Sequence, residues 1–411
     1  MPKVLLILVT FLQRNMKGGN VMRRTSFILI LSLSLTLSLF SSIQAAQDSP
    51  IKIGIVEDVT GYNADGGRAE RDAGILCIEE WNKKGGINGQ KIEYIFRDNG
   101  GDPTKSSTIA KEFVNLGVTG VLGATSTTVG LGENKVFTPA QIPYVMCSMS
   151  KKFWDLKGPD GKWYAFSAVG SEPVLAGGWI ETLINHVPVH KKVVILHVNI
   201  LWGKSLNDTM KKLIKTKYAA AGIEVIGSVE CELRPTDLSK QVAEVKALNP
   251  DAVISVLFPD AYVAWFRACQ LLDYHPPITA YWGLSESVYI SVDPKLLYNL
   301  YGYGSFDGGK KIAVDTFDRL KKRFGYTPVS HWAAAWDAMD ILLKGIKNAG
   351  TNGPAIRDWI ATKSKGMDIL SGNKNAVCRI EDGSPYYYSI LYPENFAVVY
   401  VDKDGNKIWK D

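Results

Sequence analysis

Cysteine is scarce and scattered in this 411-residue sequence: Cys77, Cys147, Cys231, Cys269 and Cys378 show no close pairing spacing and no CxxC. An odd, dispersed set argues against a disulfide framework and against a zinc site, and leaves buried free thiols as the expected state. Histidine is equally sparse. His186, His190, His197, His275 and His331 form no HExxH, and Pro188 interrupts the pair spaced four apart, where a helix aligning both rings could not continue. Gly203-Lys204-Ser205 has Val198 where a phosphate loop needs its first glycine, and Gly302-Tyr303-Gly304 has Asp307 where a dinucleotide fingerprint needs its third. No G-x-S-x-G elbow occurs. Lacking a nucleophile–base set, a metal cluster and a cofactor loop, the chain is not expected to be an enzyme, and no cofactor or metal is expected.

A long apolar run is also missing. Phe27–Phe40 has 14 residues, against the roughly 20 that a membrane-spanning helix needs. Met22-Arg23-Arg24 precedes it and the small residues around Ala45-Ala46 follow, the order of a cleaved secretory signal peptide. Residues 1–46 are therefore expected to be a leader, with Met22 the better start and no cysteine at the cut to carry a lipid. Its five basic residues and no acids account for most of the formal charge; without them the net value falls from +6 to +1. A near-neutral mature chain calls for neither nucleic acid nor an anionic membrane.

What is present is an alternation of short apolar strands and helices. Strands are expected at Ile51–Val56, Ile92–Arg97, Val118–Leu122 and Ile142–Met146, with helices at Gly66–Trp81 and Pro103–Leu116. The pattern restarts with strands at Lys192–Leu196, Ile223–Val229, Ala252–Leu257 and Ile278–Tyr281 around helices Ser205–Ala221, Leu238–Leu248 and Ala261–Leu272. Two long helices, Val314–Phe324 and Ser330–Asn348, and a strand-rich tail at Tyr386–Val401 follow. The fold class is α/β, with two doubly wound parallel sheets in succession.

In such sheets ligands bind beyond the carboxyl ends of the strands, beside helix N-termini. The loops there are Asp58–Tyr62, Gly123–Thr128 and Cys147–Ser150 in the first half. Their hydroxyls and backbone N–H groups suit a carboxylate or an amide oxygen, although serine and threonine also serve simply as helix caps. The second half contributes Trp202, Phe258-Pro259-Asp260 and Trp282–Glu286. Aromatic rings at a cleft give apolar area at low entropy cost, and Glu286 could meet a ligand ammonium group or stay a solvated loop carboxylate.

An ordered set of motifs carries a resemblance. Ile51-Lys52-Ile53-Gly54, Thr60-Gly61, Asn82–Gly89, Arg97-Asp98, Asp102-Pro103, Ile142-Pro143, Trp202-Gly203, Thr236-Asp237-Leu238, Asn249–Ala252 and His331–Ala338 together resemble the type I periplasmic binding proteins of the branched-chain amino acid (leucine/isoleucine/valine) family. The resemblance covers essentially the whole mature chain. It implies a flytrap of two lobes joined by three crossovers, expected near residues 166–173, 303–309 and 379–386. Lobe 1 is expected to hold residues 47–168 and 306–382, and lobe 2 residues 169–305 and 383–411. It further implies a ligand carboxylate held at Ser126 and Ser148–Ser150, an aromatic contact from Trp202 and an acid near Ser285–Glu286 on the amine. Tyr62, Thr127, Phe258, Trp282 and His331 complete the candidate set.

Departures from the family leave the ligand open. The positions corresponding to a frequent family disulfide are Gly101 and Thr125, and Trp202, Trp282 and Trp332 suggest a pocket unlike that of an aliphatic amino acid binder. The implied role is a monomeric periplasmic receptor delivering a small polar ligand to an ABC-importer permease. The rivals are a sensor of the same fold, a binder of amides, urea or aromatic acids, and a secreted hydrolase.

Overall fold

The structure is a computed structural model. It describes residues 49–411 except 149, 170–171, 282–287, 289–290, 305–310, 330, 372–378, 381–387, 390–396 and 411. The first sheet is fully parallel, in the order β2-β1-β3-β4-β5, from β1 (Ile51–Glu57), β2 (Ile92–Asp98), β3 (Gly120–Gly123), β4 (Tyr144–Met146) and β5 (Ala165–Ser167). Helices α1 (Ala64–Lys83), α2 (Pro103–Asn115) and α3 (Thr127–Phe137) connect its strands. Inner strands β3 and β4 are buried along their whole length, whereas edge strand β2 exposes Glu93 and Tyr94, as a sheet covered on both faces requires.

The second sheet runs β14-β13-β10-β9-β8-β6-β7. Its parallel part is β6 (Lys192–Val198), β7 (Glu224–Cys231), β8 (Ala252–Val256), β9 (Ile278–Ala280) and β10 (Leu300–Gly304), wound with α4 (Glu172–His186), α5 (Leu201–Lys215), α6 (Ser239–Leu248) and α7 (Pro259–Leu271). The tail departs from the all-parallel expectation: β13 (Ala397–Val401) pairs antiparallel with β10, and β14 (Lys407–Lys410) with β13. A hairpin needs no crossover helix, so the chain can end on the sheet edge. A separate two-stranded ladder, β11 (Arg379–Ile380) with β12 (Tyr388–Ser389), lies beside β5.

After β10 the chain forms α8 (Lys311–Phe324), α9 (His331–Ala349) and α10 (Gly353–Lys363), and α9 packs back on α1, β3 and β4. The sequence also left β5, α4 and α10 unread. The crossovers expected at 303–309 and 379–386 lie largely outside the described residues. No described helix is long and apolar enough to cross a membrane, and the expected leader falls outside the described residues.

Two glycines place the helices that approach the sheet ends. A Cβ on Gly67 of α1 would lie 1.9 Å from the carbonyl oxygen of Asp58, and one on Gly203 of α5 would lie 2.1 Å from that of Val198. Each first turn therefore presses on the strand-end backbone in a way only glycine permits.

Candidate functional site

The carboxyl ends of the two sheets face one cleft, with an empty volume of about 410 Å³, part of it open to solvent. Asn63, Thr125, Ser126, Thr127, Thr128, Cys147, Ser148 and His331 line it from the first sheet's side, and Ile200, Trp202, Phe258 and Tyr281 from the second's. None of these lining residues carries an Asp, Glu, Lys or Arg side chain.

The polar wall is assembled by loops that hydrogen bonds hold rigidly. Asp58 accepts from the N–H of Gly61 (2.5 Å) and of Asn63 (3.1 Å), which bends the chain after β1 and aims Tyr62 across the cleft. Asp98 accepts from Val59 N–H (3.1 Å) and Thr60 Oγ1 (2.6 Å) and closes the loop from outside. After β3, Ala124 takes φ +53°, a left-handed turn unusual for a residue with a Cβ, and Thr125 is turned inward. Its N–H (3.2 Å) and hydroxyl (2.8 Å) both donate to Glu57.

Ser126 stands at the N-cap of α3, yet its hydroxyl makes no cap bond and pairs instead with the Tyr62 hydroxyl. The first N–H groups of any helix have no intrahelical partner, so the mouth of α3 offers donors and partial positive charge to an anion. Thr127 Oγ1 and Ser148 Oγ lie 3.0 Å apart, both buried. Ser150 is not part of the lining. It caps the short 3-10 turn Lys151–Trp154, accepting from Lys152 N–H at 3.4 Å, the competing role that serines in this loop could always have taken.

The opposite wall is a pack of rings. Trp202, at the start of α5, lies 5.0 Å from Phe258, the N-cap residue of α7, and 6.4 Å from the fully buried Trp179 behind it. Trp179 also contacts Tyr281 (5.9 Å), and Tyr281 contacts Tyr303 (5.1 Å) and His331 (5.3 Å). Tyr62 reaches across and meets Phe258 edge-on, at 5.4 Å and 75°, a favoured geometry for aromatic pairs. The two walls thus touch through two ring pairs, Tyr62 with Phe258 and His331 with Tyr281.

Under the polar wall lies a buried acid cluster. His331 Nδ1 is 2.7 Å from Glu70 Oε1, and both side chains are buried. Burial drives the His331 pKa down to about 3 and raises those of Glu57 and Glu70 well above the carboxylate range, because it disfavours each charged form. His331 is therefore neutral at physiological pH. Cys77, Cys147, Cys231 and Cys269 are free and buried, as the scattered spacing implied; Cys378 lies outside the described residues.

Of the sequence candidates, Ser126, Thr127, Ser148, Trp202, Phe258 and His331 line the cleft, and Tyr62 braces it. Trp282 and Glu286 lie outside the described residues. Tyr281, one position before the expected Trp282, and Asn63 and Ile200 went unselected. The only signal for Tyr281 was its place at the end of β9.

A profile of the periplasmic binding protein family matches residues 50–385. The chain belongs to that family. Among curated relatives it is 26% identical over 217 residues to the Leu/Ile/Val-binding protein homolog 3 of Brucella melitensis, covering 51% of this chain and 55% of the relative. The chain thus spans about half the length of that relative. Among solved structures it superposes on the branched-chain amino acid transporter substrate binding protein LivJ of Streptococcus pneumoniae, in complex with isoleucine, with TM-score 0.73 at 17% identity, over 88% of this chain and 100% of that one. A solute binding protein from R. palustris in complex with benzoate gives TM-score 0.71 at 15% identity, over 88% and 95%. At such identities the likeness is one of fold: the type I periplasmic binding protein, two lobes around a cleft. The family is one of binding proteins rather than enzymes, and the branched-chain amino acid branch suggested by the motifs is that of the Brucella relative and of LivJ.

Proposed function

We propose that this periplasmic binding protein captures a small carboxylate with an apolar body and presents it to the membrane permease of an ABC importer. One observation carries the reading: the mouth of α3 with Ser126, Thr127 and Ser148 faces Trp202, Phe258 and Tyr281 across a cleft whose described lining holds no charged side chain. A carboxylate fits the donors of the first wall, and a ring or branched chain fits the aromatics of the second. Ligand contacts to both walls favour the closed form, and the permease responds to that form. Glu286 is the proposed partner of an amine, should the ligand be an α-amino acid, as the names of the curated relatives favour. Periplasmic secretion through a leader at residues 1–46 and a monomeric state belong to the same proposal.

The test is a binding panel on protein stripped of carried-over ligand by unfolding and refolding. It holds benzoate, benzamide, leucine, an aliphatic monocarboxylate and urea. Binding of carboxylates with apolar bodies supports the reading; binding of urea or benzamide alone overturns it.

A further inference from the structure

Two of the residues that line the cleft rest on two buried acids, Glu57 and Glu70. Thr125 donates both its N–H and its hydroxyl to Glu57 Oε2. His331 Nδ1 lies 2.7 Å from Glu70 Oε1. Glu57 Oε1 and Glu70 Oε2 have no hydrogen-bond partner, and burial first, then the charge of Glu57, raises the Glu70 pKa. Ionised carboxylates only accept. Two of them fully removed from water, with 0% exposure each and one oxygen on each without a donor, are costly to keep ionised, and a proton on one relieves that cost. We propose that the Glu57–Glu70 pair is a proton site beneath the cleft, filled more completely when an anion occupies the Ser126–Ser148 wall, so that the ligand's carboxylate and a proton are captured together.

The surroundings favour this direction of coupling. Glu133 of α3, with its pKa raised to about 7 by burial, Tyr144 of β4, Cys147 beyond β4, and His331 and Asp337 of α9 face the pair or its partners. These groups are neutral or negative, and His331 stays neutral. A second negative charge above Thr125 therefore meets no cation and raises the pair's hold on its proton. Linkage then requires the affinity for an anionic ligand to fall as pH rises, by up to about tenfold per pH unit for one proton. A neutral ligand of the same shape feels no such dependence.

The inference rests on the carboxylate reading above, and benzoate with its neutral counterpart benzamide are the probes. Affinities are measured from about pH 6 to 9, where benzoate stays ionised, with calorimetric titrations in buffers of different ionisation enthalpy to count protons. The expected result is proton uptake with benzoate, an affinity that falls with pH, a flat profile for benzamide, and loss of the slope in Glu70→Gln, whose amide can still meet His331. Benzoate binding without proton uptake, or with the same uptake in Glu70→Gln, overturns the proposal. If neither probe binds, the ligand reading fails on its own. The proton site is then judged in the free protein, where infrared spectra at pH 7 should show a protonated carboxyl carbonyl stretch that Glu70→Gln, or Glu57→Gln if the first variant fails to fold, removes. No such band overturns it.

Discussion

The wall of the cleft built by β1, β3 and β4 and the wall built by β6, β8 and β9 differ in both material and support. The first presents hydroxyls and a helix mouth, held at fixed angles by Asp58, Asp98 and Glu57. The second presents Trp202, Phe258 and Tyr281, held by ring packing on Trp179 and Tyr303. Hydrogen bonds discriminate among ligand head groups because an unmatched buried donor or acceptor is costly. Ring packing contributes area and tolerates variation in shape. The first wall should therefore decide the chemical class of ligand and the second the affinity for its body.

That division can be broken in several places. The largest effect is expected where both walls share a device, at Gly67→Ala and Gly203→Ala. The added methyl meets a strand-end carbonyl at 1.9 and 2.1 Å, so each should cost about 3 kcal/mol of stability or more, seen as a lower thermal midpoint. Trp202→Ala comes next, with a loss of about 2–4 kcal/mol of binding, shared evenly by carboxylates and amides in calorimetric titrations. A loss confined to one class would undo the division. Ser148→Ala should cost carboxylates about 1.5–3 kcal/mol and neutral amides about 1 kcal/mol, and equal losses would show that no anion sits there. Tyr62→Phe keeps the ring on Phe258 and removes only the bond to Ser126, for about 1 kcal/mol. Ser150→Ala should leave affinity within about 0.5 kcal/mol, because its hydroxyl caps a turn outside the cleft.

The sequence made the sheets legible where burial leaves continuous apolar runs, as at Val193–Leu196 and Ala252–Ile254, and where glycines end a helix, as at Gly85. It concealed β5, three residues long, and α4, whose Val174, Leu175, Trp179, Ile180 and Leu183 are buried around most of its circumference. A helix without a polar stripe shows no 3.6-residue contrast to read. Strand-end loops pointed to Ser126, Ser148 and Trp202, since topology alone puts such loops at a cleft. Glu57 and Glu70 were not legible at all. A glutamate reads as solvated until something covers it, and here His331 arrives from 261 positions away along the chain.

The most direct test of the two-wall account is a thermal-shift comparison of benzoate, leucine and benzamide on the stripped protein. A ligand at about 100 times its dissociation constant adds about 2.7 kcal/mol of stability, enough to move the midpoint visibly. The account predicts a raised midpoint with a carboxylate that carries an apolar body, and loss of that shift in Ser148→Ala at the same concentration. A shift with benzamide alone, or one that Ser148→Ala leaves intact, would contradict it.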